Sequence, residues 1–87
     1  MAQVYIPAQM RDLTGGVDRI EIAGSNLRRI IAGLESAFPG IKDRLVSGDA
    51  IASGLAVSID GNVSTRGLLA PVGEISEVHF LPAIGGG

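Results

Sequence analysis

Between residues 25 and 38 the hydrophobic period of this chain changes. Leu27, Ile30, Ile31, Leu34 and Phe38 fall at i, i+3, i+4, i+7 and i+11, which is one apolar face of a helix, with Arg28, Arg29 and Glu35 on the other. On both sides of this stretch the apolar residues alternate instead, the period of a strand with one buried face. A single apolar helix face among several half-apolar strands is buried most simply by laying the helix across one small sheet. The expectation is therefore an α+β arrangement.

The strands can be placed from the alternation. "QVYIP" puts Val4 and Ile6 on one side and Gln3 and Tyr5 on the other. "RDLTGG" is a turn built on Gly15 and Gly16, and "VDRIEIAG" resumes with Ile20 and Ile22 inward, so the first two strands form a hairpin. Ser25 is a good helix N-cap, and Pro39-Gly40 ends the helix because the residue before a proline is pushed out of helical geometry. Gly33 lies inside the helix, where it signals either close packing or simple tolerance. Ile41 and Leu45, four apart, suit one further short turn, and "SGDAIASG" reads as a loop. "LAVSID" alternates with Leu55, Val57 and Ile59 inward, and Asp60-Gly61-Asn62 turns it back into a brief strand at "VST". In "RGLLAPVGEIS" the residues Leu68, Leu69, Val72 and Ile75 are available to plug the core. "EVHFL" closes the set, with Val78 and Phe80 inward and His79 and Leu81 outward. The order strand, strand, helix, strand, short strand, strand matches a β-grasp: a small mixed sheet packed on one main helix.

Composition narrows the functional classes. Hydrophobic residues make up 46% of the 87, enough for a core without staples, and there are no cysteines. Disulfides, thiolate metal sites and cysteine nucleophiles are thereby excluded, in keeping with a reducing cytosol. The N-terminus has no signal-peptide pattern, no stretch approaches the ~18 apolar residues of a membrane span, and a cytoplasmic location is expected. A net charge of −2, scattered basic residues and 3% aromatic content argue against nucleic acid. No P-loop, dinucleotide fingerprint or nucleophile elbow is present, and the single histidine, His79, has no partners at ligand spacing, so no metal site is expected. An enzyme acting alone is not expected.

What remains is the ending, "EVHFLPAIGGG". Three terminal glycines add nothing to packing and carry the largest ordering entropy of any residue. Taken with "RDLTGG" at 11–16 and the helix that runs into "FPGI", this ending resembles the ubiquitin-like sulfur carriers of the ThiS and MoaD kind. The resemblance spans the chain in order and approximate length. The half from "IPAQMRDLTGG" through "FPGIKDRL" is most similar to the carrier that serves thiocarboxylate-dependent cysteine biosynthesis. Gly85 stands where the family usually has alanine or serine, and Ile75-Ser76-Glu77-Val78 replaces its usual G-D-E-V turn.

The resemblance implies that residues 1–83 are the β-grasp domain and residues 84–87 a flexible tail. It implies that an ATP-dependent, ubiquitin-activating-like enzyme adenylates the carboxylate of Gly87. A sulfur donor then converts it to a thiocarboxylate for an acceptor enzyme, a cysteine synthase or the large subunit of a molybdopterin synthase. The chain itself binds no cofactor; ATP and the sulfur donor are used by the partner. Gly85 and Gly86, lacking Cβ atoms, suit threading through a narrow channel. Four residues from Ile84 reach roughly 13 Å when extended. Leu81 and Ile84, with Tyr5 and Ala56, are expected to form an apolar docking patch beside the tail, and Arg11 is a further partner-binding candidate. Three alternatives stay open from the residues alone: a molybdopterin synthase small subunit, a protein modifier conjugated through Gly87, and a β-grasp interaction module with an idle tail.

Overall fold

A computed structural model describes residues 1–82; the proposed tail residues Ile84, Gly85, Gly86 and Gly87 lie outside the described residues. The alternating N-terminal stretches form β1 (Ala2–Tyr5) and β2 (Arg19–Ile22), paired antiparallel with Val4 opposite Ile20. The period change becomes α1 (Leu27–Ala37), followed by α2 (Ile41–Leu45). Two short pairs, β3 (Val46–Ser47) with β4 (Ala50–Ile51) and β5 (Leu55–Ile59) with β6 (Asn62–Val63), lead to β7 (Glu77–Pro82). The main sheet has the order β2-β1-β7-β5-β6. Only the β1–β7 pairing is parallel, so the sheet is mixed and the fold is the expected β-grasp.

One face of the sheet carries Ala2, Val4, Ile6, Val57, Val78 and Phe80, all buried. Against it lies the apolar face of α1, whose Leu27, Ile30, Ile31 and Leu34 are at most 1% exposed. Each such side chain contributes about 1.5–3 kcal/mol through removal from water, and together they hold the helix to the sheet. Ile41 and Leu45 of α2 are fully buried and close one end of the same core. Gly33 is a close approach: a Cβ there would stand 2.5 Å from Cγ2 of Ile22 on β2. Among the described residues no helix is long and apolar enough to cross a membrane.

Four local expectations need correction. The N-cap is Asn26, not Ser25: the Asn26 side-chain oxygen accepts from the Arg29 N–H at 2.9 Å, while the Ser25 carbonyl accepts from Val72 N–H at 3.0 Å. Ser25 thus belongs to the connection that joins helix and sheet. "SGDAIASG" is not all loop, because Gly48 at φ +62° starts a two-residue turn that pairs Ser47 with Ala50. Leu69 and Ile75 do not plug the core. They are 69% and 91% exposed, and Leu68, Ala70 and Val72 fill that place. The hydroxyl of Ser76 explains Ile75: it accepts from Gly73 N–H at 2.8 Å, closing a turn with Ile75 on its outside. Glu35, read as a plain solvent-face residue, instead accepts from Gly40 N–H at 3.0 Å and Lys42 N–H at 2.9 Å. Those two bonds, in that order, hold its carboxyl below the ordinary value, and they tie the end of α1 to the start of α2.

Gly33→Ala tests the close approach. Alanine favours a helix by about 1 kcal/mol, but Ile22 is buried and its branch methyl cannot swing clear, so overpacking of about 1–3 kcal/mol opposes it. The expected outcome in denaturant unfolding is a net loss of stability; a gain would show that β2 yields.

Candidate docking face and tail root

The last strand among the described residues, β7, is the middle strand of the sheet. The position of β7 is set at its start by Asp60. In the β5–β6 turn Asp60 and Gly61 both have positive φ, +54° and +84°, the geometry of a type I′ hairpin. The Asp60 carboxylate accepts from Glu77 N–H at 2.9 Å and from the Ser76 hydroxyl at 2.7 Å. The Glu77 bond, then the Ser76 bond, holds this carboxyl below its ordinary value. The Asp60 N–H returns a bond to the Glu77 carbonyl at 2.9 Å. The D-G pair was legible as a turn. Its carboxylate reaching β7, 17 residues on, was not.

The sheet face turned away from α1 carries the candidate docking residues. Register places Arg19, Tyr5, His79, Ser58 and Val63 in one row across all five strands. Tyr5 and His79 stack with ring centroids 4.1 Å apart and planes within 7°. The Nε2 of His79 lies 3.7 Å from a Glu77 carboxylate oxygen. Leu81, 37% exposed, sits two residues further along β7, opposite Ala56 on β5. Tyr5, Ala56 and Leu81 therefore share one face, as expected, with a flat Tyr5–His79 stack beside the apolar pair. Ser58 belongs to this face too, yet is only 7% exposed.

Arg11 is not on the sheet itself but follows the short 3-10 turn Ala8–Met10 after β1, at the border of that face. It borders a groove of about 400 Å³ with Tyr5, Pro7, Arg19, His79 and Phe80 among its walls. Its guanidinium donates to the Ile6 carbonyl at a long 3.5 Å. The "TGG" turn that follows is held by Thr14, whose hydroxyl lies 2.8 Å from the Val17 carbonyl, and by Gly16 N–H donating to the Arg11 carbonyl at 2.9 Å. A larger hollow of about 670 Å³ lies at the other end of the sheet, between the start of β1 and the start of α1. It is far from the tail root, because parallel register sets the start of β1 beside the start of β7. Ala2, Ala23, Gly24, Ser25 and Ala32 line much of it, with Arg29 and Glu74 as its charged residues. Among the described residues no group of three or more His, Cys, Asp or Glu side chains is placed to hold a metal.

The model of the ThiS family matches residues 4–87. The chain belongs to the ThiS family. This is the family of ubiquitin-like sulfur carriers that its residues resemble. Solved structures agree with a ThiS-family fold. A chain of the Amycolatopsis orientalis BexX/CysO complex superposes with a TM-score of 0.91 at 32% identity, covering 100% of both chains. Mycobacterium tuberculosis CysO, described as an antigen, follows at 0.88 and 25% identity, covering 97% of this chain and 100% of that one. Small archaeal modifier protein 1 from Methanosarcina acetivorans shares the fold at 0.78 and 21% identity, over 99% of this chain and 95% of that one. No curated protein matches the chain by sequence.

Asp60 generates a pH prediction. A carboxyl held below its ordinary 3.8 in the folded state leaves the unfolded state binding more protons as acid is added. Its stabilisation is complete above that value and is lost as pH falls through the lowered folded value. Asp60→Asn is therefore expected to lower Tm at neutral pH, with the gap to wild type closing in strong acid. A gap that stays constant with pH would contradict the role of the charge.

Proposed function

We propose that this ThiS-family chain is a cytoplasmic sulfur carrier whose reactive group is the carboxylate of Gly87. Residues 1–83 are the β-grasp body and Ile84–Gly87 the tail it presents. The observation that carries this reading is the extent of the family match, which runs through the terminal glycines to residue 87. The place of β7 supports it: the strand is held by β1 and β5 as far as His79 and by β5 on to Pro82, which roots in the sheet a group that must enter another protein's site.

A carboxylate is a poor electrophile because its charge repels nucleophiles. Activation solves this. One oxygen of the Gly87 carboxylate attacks the α-phosphorus of ATP, pyrophosphate leaves, and an acyl-adenylate forms in the active site of the partner enzyme. A persulfide sulfur on a donor then attacks the acyl carbon and expels AMP, leaving an acyl disulfide. A thiol attacks the donor's sulfur, forms a disulfide with it, and frees the Gly87 thiocarboxylate. The chain supplies the carboxylate and the surface that docks it, and it acts as substrate and not as catalyst. Gly85 and Gly86 carry no Cβ and so pass a narrow channel toward the nucleotide. Leu81 with Ala56 and the Tyr5–His79 stack forms the docking face, and Ile84 extends it. The similarity to CysO chains, one of them in a complex with BexX, favours cysteine biosynthesis as the destination of the sulfur.

Incubation with the activating enzyme, ATP and a sulfide donor tests the reading, with intact mass showing replacement of one oxygen by sulfur. Deletion of Gly87 is expected to abolish pyrophosphate exchange and leave Tm unchanged; exchange by the truncated chain would refute the reactive terminus. Gly86→Val keeps the carboxylate but adds a β-branched side chain, and activation is expected to fall by orders of magnitude. Near-normal thiocarboxylation of that variant would reject passage through a tight channel. Leu81→Glu is expected to weaken partner binding at least about tenfold, the scale of an interface anchor, with little change in Tm. A large fall in Tm would place Leu81 in the core instead.

A further inference from the structure

The two flanks of β7 end at different points. On the β5 side the pairing runs on to Pro82, opposite Leu55, whereas on the β1 side it stops at His79, opposite Tyr5. Phe80, Leu81 and Pro82 thus have a strand neighbour on one side only among the described residues. The direction of their backbone groups follows from the ladder. The Val57 carbonyl accepts from Ser64 N–H at 2.8 Å and the Leu55 N–H donates to Ala52 at 3.1 Å, so both residues turn their backbone groups away from β7. Their partners Phe80 and Pro82 then turn theirs toward the β1 side.

On that side the next donor is missing. Gln3 N–H donates to the Ser76 carbonyl at 2.9 Å, and Gln3 pairs with Glu77. This sets the parallel alternation in which odd-numbered β1 residues face β7. Ile6 N–H points the other way, to Asp18, at 2.9 Å. The position whose N–H would bond the Phe80 carbonyl is residue 7, and Pro7 has none. Pro82 has none either. The open edge therefore offers the carbonyls of Phe80 and Pro82 and no N–H from residue 82, and at Phe80 it borders the groove walled by Pro7, Arg11 and Arg19.

We propose that this edge receives an extended, acidic segment of a partner protein as an added strand. Backbone N–H groups of the segment would meet the two carbonyls, and its carboxylates would meet Arg11 and Arg19, which outnumber the single acid of the groove, Asp18. The same edge of a second copy does not fit, since two edges of acceptors cannot bond each other. The inference rests on the sulfur-carrier reading only for the identity of the partner; the edge and groove stand without it.

The test is titration of the labelled full chain, followed by NMR, with two short peptides, one alternating valine and glutamate and one alternating valine and lysine. The glutamate peptide is expected to shift the amides of Ala8, Arg11 and Arg19 and the Phe80 carbonyl, and the lysine peptide is not. Pro7→Ala keeps the backbone angle of φ −63° accessible while restoring the N–H, so β1 covers the edge. Affinity for the glutamate peptide is expected to fall by about threefold to tenfold, the worth of one hydrogen bond. The pair Arg11→Glu and Arg19→Glu is expected to reverse the preference. Equal shifts from both peptides, shifts from neither, or unchanged affinity in Pro7→Ala would each overturn the proposal. Pyrophosphate exchange plays no part in the titration, so failure of the carrier reading would appear there and leave this result standing.

Discussion

The parallel pairing of β1 with β7 joins the first and last strands among the described residues, and most of the fold depends on it. Such a contact closes nearly the whole chain into one loop, an entropic cost that grows only slowly with length but must be met before the sheet is complete. It is offset on the inner face, where Val4 and Val78 sit directly opposite each other and are fully buried against α1. On the outer face the same register brings Tyr5 and His79 into a stack. One pairing thus builds the centre of the core and the centre of the candidate docking face together. Asp60 reinforces it by gripping the first residues of β7 from the neighbouring turn.

A consequence is a division of stiffness along β7. From Glu77 to His79 the strand is held by β1 and β5; from Phe80 to Pro82 it is held by β5 alone. Two prolines manage this boundary. Pro7 ends the β1 ladder because it has no N–H to give, and Pro82 sits where its missing N–H faces the open side, so it costs no bond within the sheet. An exposed strand edge ordinarily invites pairing with further copies of the chain. An edge that offers mainly acceptors resists that while remaining open to a donor of the right kind.

Much of the architecture was legible in the residues. The helix, the alternating strands and the inward set Val4, Ile22, Val57, Val78 and Phe80 could be assigned because period is a local property that survives in any context. The short pair β3–β4 was missed because two-residue strands carry no period. Leu69 and Ile75 were placed inside by hydrophobicity alone, yet a 3-10 turn and the Ser76-closed turn direct them outward. Asn26 displaced Ser25 as the cap because the Ser25 carbonyl was already committed to Val72. Of the candidate site, the shared face of Tyr5, Ala56 and Leu81 followed from alternation, while the groove beside Arg11 did not.

The sequence by itself determined the class of fold, the family through its "RDLTGG", "FPGI" and "EVHFLPAIGGG" stretches, and the glycine ending on which the proposed chemistry rests. These are statements about neighbours along the chain, where spacing, turn residues and side-chain type act directly. Only the tertiary structure decided that β7 lies between β1 and β5, that Tyr5 meets His79, and that Asp60 holds Glu77. It also decided that Pro7 leaves the Phe80 carbonyl without a donor from β1. Each of these joins residues far apart in sequence, and each depends on strand register. A shift of one residue reverses every side chain and every backbone group on a strand, and register is set by the packing of the whole core against α1.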